Sequence, residues 1–378
     1  MKEFSFSTRI FFGENSLDRL KEVKNKRVFI ITDHFISSSG IADRVASHLE
    51  NCKITIFSEV MPDPTLEVVT EGVKHLLTSQ AEVMIAVGGG SVIDAAKAIR
   101  AIGGQMEHPS EIMECFAIPT TSGTGSEVTE YAVISDAKTG TKYPLTSSAL
   151  RPPVAILDPS LVITAPPSVT SHSGMDVLTH ALEAYVSLDA NDFSDALCEK
   201  TVSLVFKWLP EAFNDGKNLL AREEMHNASC LAGLAFNSAG LGVCHGLSHA
   251  IGGKLHLPHG MTNAIVLPHV LRYNADFDHS RSGVFNLTAH KYQRMAKLLD
   301  LPSSSIIVGV SQLVRGVEQL NKKFKIPSTL KGAGCDMDYY HSMHNEIIET
   351  ALADVTTSTN PRKVSEADVQ KLLIAIAG

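Results

Sequence analysis

Val83–Ile99 reads VMIAVGGGSVIDAAKAI, and this stretch decides the fold. Val83–Val87 is an apolar run with the length of a buried strand. It passes directly into Gly88, Gly89, Gly90 and Ser91, and then into a segment with helical spacing, VIDAAKAIRAI. A strand, a glycine turn and a helix start form a phosphate cradle. Without Cβ atoms the backbone lets a pyrophosphate approach closely, and the unpaired N–H groups of the helix start point at it. The spacing is not GxGxxG, so the ordinary Rossmann fingerprint is absent. A tight turn with no ligand is the competing reading. Asp94 and Lys97, within the next two turns, read as simple surface charges.

Working outward, the same alternation recurs. Upstream, Arg27–Thr32 (RVFIIT) is a strand that stops at Asp33, Ile41–Leu49 has helical character, Lys53–Phe57 (KITIF) is a strand, and Glu67–Ser79 is a helix. Downstream, the strand Cys115–Ile118 leads into a loop dense in hydroxyls and glycine, Pro119–Glu127 (PTTSGTGSE), suited to hydrogen bonding phosphate or ribose. Val133–Ser135 and Ala155–Leu157 read as further strands, with Lys142 between them on a hairpin. Strands alternating with helices predict a parallel sheet covered on both faces. Residues 1–20 read as a short extended arm ending in the turn FFGEN. After Asp158-Pro159 and Pro166-Pro167 the pattern changes, and nearly everything reads as helix. Pro268 implies a kink or break in the helix over Thr262–Tyr273. The expected division is therefore an α/β domain over 1–160 and an all-helical domain over 161–378.

Bulk properties agree with a large enzyme. A chain of 378 residues exceeds one ordinary core, and 44% hydrophobic with 20% charged residues is globular composition. A net charge of −8 argues against nucleic acid as a partner. No apolar block has membrane length, and MKEFSFSTRI does not read as a signal peptide. Six cysteines without a CxxC pair read as reduced thiols of a cytoplasmic protein, with Cys244 a buried filler.

The helical half carries the chemistry. Four of the sixteen histidines, His245, His249, His256 and His259, fall within LGVCHGLSHAIGGKLHLPHG (Leu241–Gly260). In GMDVLTHALEAY (Gly174–Tyr185), Asp176 and His180 stand four apart and leave one helix face. His245 and His249 repeat that spacing, while His256 and His259 follow in a proline-containing loop. A divalent transition metal needs three or four of these six groups, with a vacant position if it is catalytic. A metal that acidifies an alcohol, set beside a dinucleotide that accepts hydride, makes a dehydrogenase, and a neutral histidine near the metal would relay the proton.

The motifs FFGEN, GGGSVIDAAKAI, AIPTTSGTGSEVT, LDPSLV, GMDVLTHALEAY, GLGVCHGLSHAIGG and LPHGMTNAIVLPHVLRYN, in that order, resemble the iron-containing (group III) alcohol dehydrogenases. The resemblance implies an N-terminal dinucleotide-binding α/β domain, a C-terminal helical domain of the dehydroquinate-synthase-like fold, and an active site in the cleft between them. It implies a metal, Fe2+ with Zn2+ as the alternative, held by Asp176, His180, His245 and His259. His249 matches a non-ligand histidine near the nicotinamide and is the proton-relay candidate, whereas His256 matches no ligand position. Gly89, Gly90 and Ser91 match the pyrophosphate turn, Thr120, Thr121 and Thr124 the second loop, and Lys142 a lysine that reaches the ribose. Asp33 resembles the acidic residue holding a ribose 2′-hydroxyl, and its charge favours NAD over NADP.

Asp63 stands where many members have asparagine, the Ile102–Cys115 segment is shorter than in many, and Tyr131 replaces a smaller polar residue near the nicotinamide. With Phe236, Tyr131 suggests a short, mostly apolar alcohol or aldehyde. The resemblance also implies at least a dimer, often built through the N-terminal arm. Two alternatives share the fold, a zinc-dependent glycerol-type dehydrogenase and a dehydroquinate-synthase-like lyase. A lyase acting on a phosphorylated substrate would need basic residues, and Lys254 is the only one in Leu241–Gly260. A non-catalytic metal- or nucleotide-binding protein is a third reading, and the intact ligand set together with the intact glycine turn argues against it.

Overall fold

Six strands form one all-parallel sheet in a computed structural model that describes residues 3–106, 114–137, 142–277 and 284–378. The strands are β1 (Arg9–Phe12), β2 (Arg27–Asp33), β3 (Lys53–Val60), β4 (Val83–Gly88), β5 (Glu114–Pro119), β6 (Tyr131–Ser135), β7 (Lys142–Thr146) and β8 (Val154–Leu157). Their order in the sheet is β1-β8-β5-β4-β2-β3, and β6 pairs antiparallel with β7 in a separate ribbon. The central strands are apolar throughout because both faces are covered. Phe29, Ile31, Met84, Ala86, Cys115 and Ala117 face one core cluster, with Val69, Val73 and Leu76 of α3 (Leu66–Ser79) and Ile93, Ala96 and Ile99 of α4 (Gly90–Met106). The alternating residues Val28, Ile30, Val83, Ile85, Phe116 and Ile118 face the other, with Leu17, Leu20, and Ile36 and Val45 of the short helices α1 (His34–Ser38) and α2 (Ile41–Ala46). The period of two along each strand sorts these sets.

From Pro167 onward the described residues contain helices and no paired strands. They are α5 (Pro167–Val186), α6 (Asp192–Asn214), α7 (Leu219–Ala239), α8 (Val243–Leu255) and α9 (His259–Asn274). Five more, α10 to α14, span Leu287–Leu298, Ile306–Lys323, Met337–Ser342, His344–Ala353 and Glu366–Ala377. None of these helices alone is long and apolar enough to cross a membrane, among the described residues. Helix α5 is the core of this half, buried along nearly all its length from Gly174 to Val186. At Gly174 an added Cβ would stand 2.3 Å from Leu209, so the missing side chain lets α5 and α6 approach closely.

The chain divides into two compact units, Met1–Ala165 with Gly216–Asn237, and Pro166–Asp215 with Ser238–Gly378. The expected division at residue 160 does not include the return of α7 to the first unit. Close packing explains that return: Gly233 of α7 meets Gly125, where an added Cβ would lie 2.6 Å from the Gly233 Cα. The Asn237 side chain also accepts the Glu130 N–H at 2.8 Å.

One local expectation needs correction. The helix expected from Thr262 begins at His259, so His259 opens α9 and does not lie in a loop. Pro268, expected to kink or break the helix, lies inside α9, which continues past it. Proline leaves the carbonyl four residues back without its usual helical donor. That carbonyl, on Ala264, instead accepts a hydrogen bond from the Asn321 side chain at 2.6 Å.

Candidate functional site

In the first unit, β4 ends at Gly88 and α4 starts at Gly90, as the glycine turn implies. The Val92 and Ile93 N–H groups both reach the Gly89 carbonyl, at 3.1 and 3.2 Å. Packing inside the protein accounts for two of the glycines. A Cβ on Gly88 would lie 2.5 Å from Val92, and one on Gly90 would lie 2.6 Å from Thr124. Gly89 has only ordinary contact with Thr121, at 3.5 Å, so no neighbour within the protein requires a glycine there.

The register Gly88↔Pro119 sets the hydroxyl loop beside the glycine turn, and the Thr120 N–H donates to the Gly88 carbonyl at 3.0 Å. Thr120, Thr121 and Thr124 therefore gather with Gly89, Gly90 and Ser91 at the carboxyl edge of the parallel strands, where open α/β sheets bind nucleotides. Asp33 ends the neighbouring strand β2 at the same edge, and its Oδ1 accepts the Ile36 N–H at 2.7 Å, capping α1. Lys142 opens β7, and its side chain lies outside the described residues.

Asp94 and Lys97 are not surface charges. Lys97 is buried and donates to Thr129 Oγ1 at 3.1 Å and to the Tyr131 carbonyl at 2.7 Å. Asp94 accepts from Ser126 Oγ at 2.5 Å and from the Val133 N–H at 3.0 Å. Burial depresses the Lys97 ammonium to about 8 against the pull of Asp94, and it raises the nearby Glu127 carboxyl to about 7. These groups tie α4 to the hydroxyl loop and to β6. His226 of α7 is a partner that no sequence signal flagged. Its Nδ1 lies 2.9 Å from Ser122 Oγ, and withdrawal from water drives the imidazole down to about 4, so it is neutral. Tyr131 and Phe236 are neighbours, with ring centroids 6.4 Å apart.

In the second unit the histidine cluster assembles from three helices. Asp176, His180 and Glu183 share one face of α5, His245 and His249 one face of α8, and His259 is the first residue of α9. Asp176, His180 and His245 offer ligand atoms that all lie within 4.8 Å of one another. The His245 and His259 Nε2 atoms stand 3.7 and 3.5 Å from Asp176 Oδ1. Four ligands about 2.1 Å from a common centre stand about 3.4 Å apart in a tetrahedron, so this spacing and donor chemistry fit a divalent transition metal.

The imidazole rings pack together. Those of His180 and His245 stack at 4.6 Å, and those of His249 and His259 at 5.1 Å. Burial acts to raise the Asp176 carboxyl, but the surrounding imidazoles outweigh it and hold the group well below the ordinary carboxylate range. Burial likewise opposes charge on His245, yet the Asp176 and Glu183 carboxylates raise it to about 9. Asn263, one turn beyond His259 and fully buried, donates its amide to Asp176 Oδ1 at 2.7 Å. His249 hydrogen bonds through Nδ1 to Asp354 at 2.8 Å. His256 ends α8 in a left-handed conformation (φ 53°) and is exposed.

Close approach of helices makes the cluster possible. A Cβ on Gly260 would lie 2.1 Å from the His172 carbonyl oxygen of α5, so only glycine lets α9 start against that helix and carry His259 to Asp176.

A parallel sheet with a glycine-turned helix, and a helical unit with a carboxylate–imidazole cluster, define a metal- and dinucleotide-dependent oxidoreductase. Residues 7–159 match the family model described as iron-containing alcohol dehydrogenase, and residues 170–377 match that of the Fe-containing alcohol dehydrogenase family, C-terminal. The chain belongs to the iron-containing alcohol dehydrogenase family. It is 44% identical to a 1-propanol dehydrogenase of Citrobacter freundii, over 99% of both chains. It is 35% identical to an NADPH-dependent butanol dehydrogenase of Clostridium saccharobutylicum, over 98% of this chain and 97% of that one. Among solved structures, a 1,3-propanediol oxidoreductase superposes with a TM-score of 0.88 at 30% identity, covering 99% of each chain. The protein is thus an NAD(P)-linked alcohol/aldehyde oxidoreductase, and these relatives do not favour the lyase or glycerol-type alternatives.

Proposed function

We propose that Asp176, His180, His245 and His259 together hold one divalent metal, Fe2+ in preference to Zn2+, and that the chain interconverts a short, mostly apolar alcohol and its aldehyde. The observation that carries this reading is the convergence of one carboxylate and three imidazoles from α5, α8 and α9. A bound divalent metal supplies Lewis acidity toward an alcohol oxygen, and a nicotinamide supplies a hydride acceptor.

The chain's own residues do the rest. Asp176 brings the negative charge that a cation requires, and the low pKa direction of its carboxyl keeps it ionised. Asp354 accepts from His249 Nδ1, which leaves Nε2 to take the substrate's proton and pass it to water. Gly89, Gly90, Ser91, Thr120, Thr121, Thr124 and Lys142 form the dinucleotide site. Asp33 at the β2 edge selects NAD, since its carboxylate repels a 2′-phosphate. The aromatic pair Tyr131–Phe236 favours small substrates, in keeping with the propanol and butanol dehydrogenases among the relatives.

His259→Ala is expected to abolish metal retention and propanol oxidation while leaving NAD affinity unchanged. Full metal content in that variant, read by elemental analysis, would remove His259 from the ligand set. Asp33→Asn keeps the cap on α1 and removes the charge, so it is expected to gain NADP turnover. Unchanged NADP rates would assign cofactor choice to another residue.

The protein is read as a cytoplasmic dimer without nucleic-acid or membrane partners. All six cysteines are free, in keeping with a reducing compartment. Strand β1 lies at the edge of the sheet with Phe12 exposed, and a second copy could continue the sheet there. A monomeric mass in solution would exclude the dimer.

A further inference from the structure

Helix α8 begins at Gly242, which has no side chain to cap the helix. The first helical N–H groups must nevertheless find acceptors, because buried donors left unpaired are costly. They find them at a distance in sequence. The Val243 N–H donates to Asn360 Oδ1 at 3.2 Å, and the Cys244 N–H donates to Glu183 Oε1 at 2.7 Å. The second Glu183 oxygen lies 3.4 Å from the His245 N and 2.5 Å from His245 Nδ1. Gly242 is what admits these acceptors, since a Cβ there would stand 2.7 Å from Glu183 Oε1 and 2.8 Å from Asn360 Oδ1.

Resting on the ligand reading above, we infer that Glu183 is a positioning residue whose buried carboxylate both caps α8 and fixes His245 in the tautomer that presents Nε2 to the metal. The carboxylate is an acceptor only, so at its contact with His245 the hydrogen must reside on Nδ1. Nε2 is then the nitrogen left to offer its lone pair to a cation, giving up any proton it holds when the cation binds, and it is the ring nitrogen that faces Asp176. Glu183 lies two turns along α5 from Asp176 and one turn from His180, with 3% of its surface exposed. One helix therefore supplies two ligands and the group that orients a third. A carboxylate behind a ligating imidazole raises its basicity and fixes its ring plane. Because the same carboxylate holds the first turn of α8, cation affinity is coupled to the start of that helix.

Glu183→Gln separates the two roles. Glutamine keeps its oxygen for the Cys244 N–H, the shorter of the two backbone contacts, and turns its NH2 toward His245 Nδ1, which favours the opposite tautomer. The probe is Co2+ titrated into metal-depleted protein and read from its visible absorption band, with NAD binding and far-ultraviolet circular dichroism recorded in parallel. The expected result is a loss of Co2+ affinity of about 10–100-fold and a shifted band. Helix content and NAD affinity are expected to stay at wild-type values.

His245→Ala provides the reference. On its own it must weaken Co2+, and if it does not, the ligand set itself is wrong. Adding Glu183→Gln to His245→Ala is expected to cost no further affinity. The inference is overturned if Glu183→Gln binds Co2+ as the wild type does, or if its loss is undiminished in the His245→Ala background. It is equally overturned if the variant loses helix content and NAD affinity together, because the carboxylate then serves folding alone.

Discussion

Gly260→Ala adds a single methyl group at the start of α9, and its consequence follows from the packing. The new carbon would sit 2.1 Å from the His172 carbonyl oxygen and 2.7 Å from the carbonyl carbon. Both are backbone atoms of α5, so no rotamer change relieves the overlap. Real Cβ contacts stay beyond 3.0 Å, so α9 must retreat from α5 by about 0.9 Å. His259 is the adjacent residue and moves with it, away from Asp176. Metal–ligand distances tolerate about 0.2 Å, less than a quarter of that displacement. With the proposed ligand set the variant is therefore expected to bind metal through three groups, with affinity lower by at least about tenfold. Overpacking of this kind costs about 1–3 kcal/mol of stability as well. Isothermal titration of Zn2+ or Co2+ into metal-depleted protein gives the affinity, and thermal denaturation gives the stability. Wild-type metal affinity in Gly260→Ala would mean that α9 has slack at its first turn, and the claim that close approach sets the ligand geometry would fail.

Lys97→Met removes a buried ammonium, leaves Thr129 Oγ1 and the Tyr131 carbonyl without this donor and takes away the cation 3.9 Å from Asp94, so it is expected to lower stability by about 3 kcal/mol in urea denaturation. A loss below about 1 kcal/mol would show that water replaces the lysine. His226 titrates at about 4 in the folded protein against about 6.5 unfolded, so its contribution is fully present above about pH 6.5 and is lost as pH falls through about 4. At about 1.4 kcal/mol per pH unit the span amounts to about 3 kcal/mol, and His226→Gln is expected to flatten the acid limb of the stability profile. An unchanged limb would assign acid sensitivity elsewhere.

What the sequence disclosed and what it hid differ by the range of the interaction. The strand, turn and helix of Val83–Met106 are written in adjacent residues, so periodicity and the glycine run suffice. Asp176 with His180, and His245 with His249, declare themselves by four-residue spacing along one helix face. The burial of Lys97 is not legible because a charged residue reads as exposed, and its acceptors at Thr129 and Tyr131 lie more than thirty positions away. The pairing of His226 with Ser122 spans 104 positions, and that of Glu183 with His245 spans 62. Neither leaves a trace in local pattern. How α9 accommodates Pro268 is hidden for a related reason: the donor that serves the carbonyl left without a partner is Asn321, 57 positions away.

The return of residues 216–237 to the first unit has a consequence during synthesis. A ribosome that has released the whole parallel sheet has not yet delivered the helix that meets Gly125, Ser122 and Glu130. The nascent sheet therefore waits, with that side uncovered, while α5 and α6 emerge. Vectorial folding here proceeds by deferral, and a fragment cut at the apparent end of the α/β half would be born without one of its walls.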